Sequence, residues 1–310
     1  MRFSGLQEDM KKALFSLILL CFAWLPTHAN AQTSEQASGE VEDEITVVGQ
    51  KKREAVETLG KAITRPSRRG LPVGRFDAPI CVKVSGLPAD MAEIIKARIE
   101  ENIRDLKVIE VAEAGCDPNA FVGFLDEVDA TVDQLREKEK WLFEGLLDYQ
   151  IDRIYKGSDG VRAWHVFDLR NLDGSIIPAT RKGGGGTSDH NDAVNRVESA
   201  SRFVRLRNNL VGAVVLIEGS AVEGKTFRQL SDYATMRLLA STNDDVNDDN
   251  ASLPTILTLF NGQYAPDSLT EFDRAYLSAL YELPANSMDG QIFAAAASRY
   301  VNNQETATNE

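Results

Sequence analysis

Histidine and cysteine are scarce in this 310-residue chain, which contains three of each. His28 and Cys21 lie in an N-terminal leader that is described below. The other histidines, His165 and His190, are 25 residues apart. Neither has a histidine or a carboxylate four positions away, the spacing that puts two metal ligands on one helix face. The spacing also assigns no Ser-His-Asp or Cys-His arrangement.

Basic residues are outnumbered by acidic ones. The chain has 34 basic and 47 acidic residues, and its net charge is −13. Nucleic acids and anionic lipid surfaces attract proteins with basic patches. The charge balance therefore argues against either as a partner, and we expect no nucleic acid to bind.

No apolar run is long enough to cross a bilayer, which takes about 20 residues. The longest run, Ala13–Leu25, has about 13 largely apolar residues; Lys11 and Lys12 precede it, and an Ala-x-Ala site ending at Ala31 follows. This layout is typical of a cleavable signal peptide. We therefore predict export to the periplasm of a Gram-negative cell, with extracellular release as the alternative, and no integral membrane domain.

Three details of the leader leave alternatives open. Glu8 and Asp9 are unusual in the positive region of a signal peptide, so Met10 rather than Met1 is the start that the pattern favours. A leader that is never cleaved would act as a membrane anchor. Cys21 follows a leucine, whereas a lipoprotein cleavage site requires a small residue there, which argues against lipidation.

Two cysteines, Cys81 and Cys116, remain after cleavage. The first lies in a predicted strand, and the second lies in a turn just before another strand. An isolated pair in an oxidising compartment usually forms a disulfide. We predict that bond, which closes a loop of about 36 residues and is worth about 3–4 kcal/mol. A reactive or metal-binding thiol pair is the alternative, although redox pairs are usually spaced Cys-x-x-Cys.

The pattern of apolar residues predicts one α/β domain of the α+β type with a mixed sheet. We assign residues 1–31 to the signal peptide, 32–74 to a disordered or extended leader and linker, 75–300 to the domain and 301–310 to a disordered tail. The predicted strands cover 79–85, 108–112, 120–125, 160–169 and 210–218. The predicted helices cover 54–64, within the linker, and 89–104, 130–139, 141–155, 226–241 and 268–281.

A short β-prone segment follows the acidic leader and comprises Glu44, Ile45, Thr46, Val47, Val48 and Gly49. It resembles the TonB box near the N-terminus of outer-membrane receptors. Such a box binds by adding a strand to the sheet of its partner, so the resemblance implies a protein partner in the cell envelope. The alternative is an ordinary edge strand or linker. No barrel follows the segment, so the chain is not itself a receptor.

The most organised pattern lies in residues 203–282. A strand at Leu210–Glu218 is followed by a turn and then by a helix with a capping box at Thr226–Gln229. An acidic loop and a second capping box, which we place at Ser268–Glu271, come next. This order resembles the zincin metallopeptidases, and Leu269–Tyr281 is similar to the helix that follows their metal loop. The chain also resembles an uncharacterised family of exported Gram-negative proteins of zincin type.

The metal ligands that this resemblance implies are missing. Zincins carry His-Glu-x-x-His, in which two imidazoles bind zinc and the glutamate acts as general base. The corresponding positions hold Asp232, Tyr233 and Met236, and the third ligand position holds Thr242. A methionine thioether is a poor zinc ligand, and tyrosine is no substitute for the base. We therefore expect no catalytic residues, no metal and no cofactor at this helix.

The acidic loop at 243–250 offers a different metal site. Asp244, Asp245, Asp248 and Asp249 supply the hard oxygens that calcium prefers. The loop lacks the glycine and the distal glutamate of an EF-hand. A solvated loop at the end of a helix is the alternative.

These patterns together predict an exported, non-catalytic protein whose degenerate metallopeptidase-like domain serves binding or structure. One alternative is a hydrolase or peptidase with non-standard ligands, such as Asp232 with residues of the acidic loop. Another is an accessory of envelope transport that is recognised through its TonB-box-like segment. The ligand and the oligomeric state have no signature in the sequence.

Overall fold

A computed structural model describes residues 36–65, 71–157, 160–177 and 206–308. Within these ranges, side chains are described from residue 48 to residue 306. The predicted signal peptide lies outside these residues. The chain divides into two compact units, Met1–Glu44 and Ile45–Glu310. Of the first unit only residues 36–44 are described, and they are helical.

The described part of the second unit is a mixed α/β fold with a five-stranded sheet, which confirms the predicted class. The strands are β1 (Arg75–Phe76), β2 (Val82–Ser85), β3 (Ala120–Leu125), β4 (Val161–Asn171) and β5 (Leu206–Glu218). Strands β2, β3 and β5 are adjacent and parallel, and β1 pairs with β5 in the same direction. Strand β4 runs antiparallel to β5 along its whole length.

Helices cover both faces of this sheet. Their bounds are α1 (Gln36–Ile63), α2 (Ala89–Asp105), α3 (Val128–Lys138), α4 (Asp148–Tyr155), α5 (Phe227–Leu239), α6 (Glu271–Glu282) and α7 (Asp289–Thr308). Three short 3-10 helices join them at Lys140–Phe143, Gly219–Val222 and Ile256–Leu259. The larger core lies between the sheet and α1, α2, α5, α6 and α7. The smaller core lies under α3, α4 and the first 3-10 helix.

Strand β5 holds the two cores together. Ala213, Val215 and Ile217 face the larger core, while Val214 and Leu216 face the smaller one. The side chains alternate because successive residues of a strand point to opposite faces of the sheet. The apolar character of both faces, which the sequence predicts, follows from this central position.

The two C-terminal helices begin at capping boxes. In α5 the Thr226 hydroxyl accepts a hydrogen bond from the Gln229 backbone N–H, and the Gln229 side chain accepts one from the Thr226 backbone N–H, as expected. In α6 the N-cap is Thr270, whose partner is Asp273, so the predicted box at Ser268–Glu271 was wrong. The N-cap is Thr270 because the buried carboxylate of Asp273 accepts a hydrogen bond from the Thr270 backbone N–H.

Two described helices extend beyond the predicted domain bounds of 75–300. Val56, Leu59 and Ile63 lie on one face of α1, are fully buried and belong to the larger core. At the other end α7 continues to Thr308, and Val301 is buried within it. Residues assigned to a linker and to a tail therefore pack against the domain.

Two other elements differ from their predictions. The stretch 108–112 is no strand; only Val111 forms a bridge, and its partner is Ile80. The helix predicted at 141–155 is split into a 3-10 turn and α4. The chain between them passes through Gly145, whose φ of +76° no continuous α-helix accommodates.

The predicted disulfide between Cys81 and Cys116 is present, with the two Cα atoms 6.1 Å apart. Cys81 directly precedes β2, and Cys116 lies just before β3, so the bond ties together the starts of two neighbouring parallel strands. The side chain of Asn119 adds to this contact, because its Oδ1 accepts a hydrogen bond from the Cys81 N–H at 2.9 Å.

Removal of the disulfide should lower the free energy of unfolding by about 3–4 kcal/mol, since the loop that it closes becomes free in the unfolded chain. The double variant Cys81→Ser/Cys116→Ser should show this loss in urea titrations followed by circular dichroism. Dithiothreitol should destabilise the wild type by a similar amount and leave the double variant unchanged. Equal stability of oxidised and reduced wild type would contradict the prediction.

Gly86 and Gly115 form a matched pair, because both have φ near +86° but only the first is crowded. A Cβ atom on Gly86 would lie 1.8 Å from the backbone oxygen of Phe124, whereas one on Gly115 would meet nothing within 4 Å. Gly115→Ala should therefore cost about 1 kcal/mol of stability, and Gly86→Ala at least roughly 3 kcal/mol. Thermal unfolding of both variants checks this, and similar losses would refute the predicted contact.

Candidate functional site

Asp232, which the resemblance to zincins aligns with a zinc ligand, lies on α5 and is completely buried. Four donors surround its carboxylate. Nε and Nη2 of Arg98 donate to Oδ1 and Oδ2 at 2.9 and 3.2 Å. Nδ2 of Asn102 donates to Oδ1 at 2.7 Å, and the backbone N–H of Leu269 donates to Oδ2 at 2.9 Å. The carboxylate thus joins α5 to α2 and to the segment that leads into α6.

These contacts saturate the carboxylate, because a carboxylate has about four lone-pair sites for hydrogen bonds. The hydrogen bond from Arg98 to Asp232, with the neighbouring Glu101, raises the pKa of the Arg98 guanidinium above its ordinary value. Asn102 in turn donates to the Thr235 hydroxyl at 3.0 Å, which extends the network along α5. Asp232 is consequently a structural anion whose charge is already matched.

The other three positions of the expected zinc site are buried in different surroundings. Tyr233 packs its ring edge-on against Phe260, with the ring centroids 4.8 Å apart. Met236 is fully buried in the larger core. Thr242 forms a bridge with Thr64 at the end of α1. Within the described part of the chain, no group of three or more His, Cys, Asp or Glu side chains could hold a metal ion.

The acidic loop is packed by hydrogen bonds of its own. Asp244 accepts from the side chains of Arg65 and Arg237. Asp248 accepts from the backbone N–H of Gln263 at 2.6 Å, and the Asp245 carbonyl accepts from Asn250 at 2.7 Å. The carboxylates of Asp244 and Asp248 therefore serve separate contacts within the protein.

The TonB-box-like residues Glu44–Gly49 are helical, because they lie within α1. The expected edge strand or extended linker at this position was therefore wrong. The same helix continues to Ile63, where its buried face packs into the core. Strand addition by these residues would require the N-terminal turns of α1 to unwind.

A polar cavity of about 90 Å³ lies elsewhere, between α4, β4 and the segment 71–74. Its walls include apolar side chains such as Val73 and Phe167. Its polar lining includes Arg65, Gln150, Arg153, His165, Asn208 and Asp244. The sequence did not predict this site, since the lining comes from separate segments without any common motif. Two of its residues carried a signal, His165 as a histidine within a predicted strand and Asp244 as a member of the acidic loop.

Charged side chains at one wall of the cavity form a compact cluster. The Asp244 carboxylate accepts from Nη2 of Arg65 at 2.6 Å and from Nη2 of Arg237. Burial would raise the pKa of Asp244, but the charges of these arginines and of Arg153 hold it below its ordinary value. Burial lowers the pKa of Arg65 to about 10, with Arg237 and Arg153 adding to the effect.

His165 is buried at this wall and is neutral at neutral pH. Burial, together with the charges of Arg65 and Arg237, lowers the pKa of its imidazole to about 3. Nε2 lies 3.2 Å from the backbone oxygen of Leu238. Because a carbonyl oxygen only accepts hydrogen bonds, the proton of the neutral ring is on Nε2. Nδ1 is then an acceptor, and it has no hydrogen-bond partner among the residues that the structure describes.

His165 should make stability depend on pH between its lowered pKa near 3 and the unfolded value near 6.5. In that window the unfolded chain binds a proton that the folded chain excludes, so stability falls as the pH falls. Between pH 7 and pH 5 we expect a loss of about 2 kcal/mol. His165→Gln should abolish most of this slope in urea titrations at several pH values. An unchanged slope in the variant would show that other groups cause it.

Comparison with known proteins adds no family to this picture. Neither the models of protein families nor the curated proteins nor the solved structures contain a match to the chain. Among the described helices, none combines the length and the apolar character that crossing a membrane requires. The functional assignment therefore depends on the chemistry of the residues themselves.

Proposed function

We propose that this chain is an exported, non-catalytic protein that uses its α/β domain to bind a ligand. The observation that carries the proposal is the state of Asp232, which is buried and saturated by donors from Arg98, Asn102 and Leu269. A residue that binds a metal or activates water needs a free lone pair directed at the reacting group. The lone pairs of Asp232 are already engaged in hydrogen bonds that hold three elements together.

The order of elements supports the zincin resemblance of the scaffold. Strand β5 leads through a turn into the buried helix α5, and the loop that follows leads into α6, which opens with Leu269, Thr270 and Asp273. The zinc-ligand positions of such a scaffold hold core residues here. We infer that the domain retains the frame of a metallopeptidase and lacks its catalytic chemistry.

A hydrolase with non-standard ligands has less support. Asp232 and Asp244 are the carboxylates best placed on or after α5, and both are paired with arginines. Recruiting either as a ligand would leave buried or partly buried guanidinium groups without a counter-ion, which is costly. The geometry therefore favours the binding role.

The Cys81–Cys116 disulfide supports export. Disulfides persist in oxidising compartments such as the bacterial periplasm and are rare in the cytosol. Together with the leader of residues 1–31, the bond supports the proposal that the protein is exported to the periplasm.

A double-mutant cycle between Asp232 and Arg98 tests the structural role of Asp232. We expect Asp232→Asn and Arg98→Met each to destabilise the fold, with a coupling energy of about 1–3 kcal/mol because the pair is buried on one side and bidentate. The matched control is the exposed pair Glu100 and Arg104, which should couple by less than about 0.5 kcal/mol. Urea titrations of the two cycles measure both values.

The opposite result would identify a functional carboxylate. Catalytic and ligand-binding groups are often held at the expense of stability, so removing one leaves the fold unchanged or stabilises it. A stable Asp232→Asn variant, combined with stoichiometric zinc in the purified wild type and a chelator-sensitive peptidase activity that the variant lacks, would refute the proposal. We expect neither bound zinc nor such an activity.

A further inference from the structure

We infer that the polar cavity beside β4 binds a small anion that also carries a hydrogen-bond donor, such as a protonated oxyanion or a hydroxy acid. The cavity is lined by residues of α4, β4, β5 and the acidic loop. None of the four residues at the zinc-ligand positions lines it. This inference rests on the proposed binding role and names the ligand class for it.

The charge around the cavity selects an anion. Arg65, Arg153 and Arg237 surround the single carboxylate of Asp244, which leaves an excess of two positive charges. This excess stands out in a chain whose net charge is −13. Arg65 and Arg237 are held by Asp244, whereas Arg153 makes no ion pair with any described residue and lies over the ring of Tyr149. Arg153 is thus the guanidinium best able to receive a ligand.

Two buried acceptors add the requirement for a donor. Among the described residues, Nδ1 of His165 has no hydrogen-bond partner, and its ring is neutral with the proton on Nε2. Oδ1 of Asn208 also lacks a partner among these residues, while its Nδ2 lies 3.5 Å from the Pro72 carbonyl oxygen. Both residues are more than nine-tenths buried and belong to the lining of the cavity. The two acceptor atoms themselves expose less than 1 Å², so a ligand reaches them through a small shift of the side chain. A ligand O–H or N–H would satisfy an acceptor that the protein leaves unpaired.

The size of the cavity limits the ligand. A volume of about 90 Å³ holds on the order of six water-sized spheres. This space fits a tetrahedral oxyanion or an acid with two or three carbons, and it excludes a nucleotide or a peptide. The shared chemistry is a compact anionic head with a hydroxyl group.

Two matched pairs of anions test the inference by isothermal titration of the full exported chain at pH 7 and constant ionic strength. Phosphate is protonated at this pH and sulfate is not, while glycolate has the hydroxyl that acetate lacks. We expect one site per chain and at least tenfold tighter binding of the donor-bearing member in the pair that binds. Phosphate binding identifies an oxyanion ligand, and glycolate binding identifies a hydroxy acid.

Variants locate the site. Arg153→Gln should weaken the binding of the preferred anion at least tenfold, while Arg104→Gln removes the same charge from an exposed position on α2 and should bind like the wild type. His165→Leu removes the Nδ1 acceptor without supplying another one and should reduce the preference for the donor-bearing anion. Thermal unfolding and circular dichroism confirm that each variant is folded before titration.

Several results would overturn the inference: none of the four anions binds, paired anions bind equally well, or Arg153→Gln and Arg104→Gln weaken binding alike. These outcomes leave the coupling of Asp232 to Arg98 untouched, so they do not bear on the non-catalytic role. Conversely, a zinc-dependent activity would refute that role and leave the anion titrations as they are.

Discussion

The buried carboxylate of Asp232 is the interaction on which the arrangement of the C-terminal half depends. Its four hydrogen bonds reach Arg98 and Asn102 of α2 and the backbone of Leu269, so one side chain positions three elements against each other. A buried carboxylate without partners would be strongly destabilising, and one with matched donors is tolerated at little net cost. The network therefore contributes specificity, because only one packing of α2 against α5 satisfies it.

A second polar cluster holds the C-terminal end of α5. Arg237, in the last turn of the helix, donates to Asp244 and to the backbone oxygen of Asn243, and Arg65 at the end of α1 shares the same carboxylate. A cation in this position also interacts favourably with the helix dipole. Helix α5 is thus fixed by charged contacts near its middle, at Asp232, and at its C-terminal end. Of these two clusters, only the C-terminal one borders the cavity described above.

Local patterns in the sequence predicted much of the fold. The α/β class, the disulfide and the cap at Thr226 follow from periodicity and short motifs, which depend on neighbouring residues. The cap of α6 was misplaced because two overlapping segments match the same motif. Tertiary contacts choose between them, since Asp273 also accepts from the Thr255 hydroxyl and the Ile256 N–H. The pairing of Asp232 with Arg98 joins residues 134 positions apart, and no spacing rule reveals it.

The candidate binding site could not be predicted from the sequence, because its residues are also far apart along the chain. Its arginines come from α4, from α5 and from the segment just after α1, and its acceptors come from β4 and β5, so no two of them form a motif. Only the fold makes His165 neutral, because burial and two nearby guanidinium groups lower the pKa of an ordinary imidazole to about 3. A neutral imidazole beside excess positive charge offers a lone pair next to cations, which suits a ligand that is both an anion and a donor. The most distinctive recognition chemistry of the described residues thus lies beside the cluster at the C-terminal end of α5, and not at Asp232.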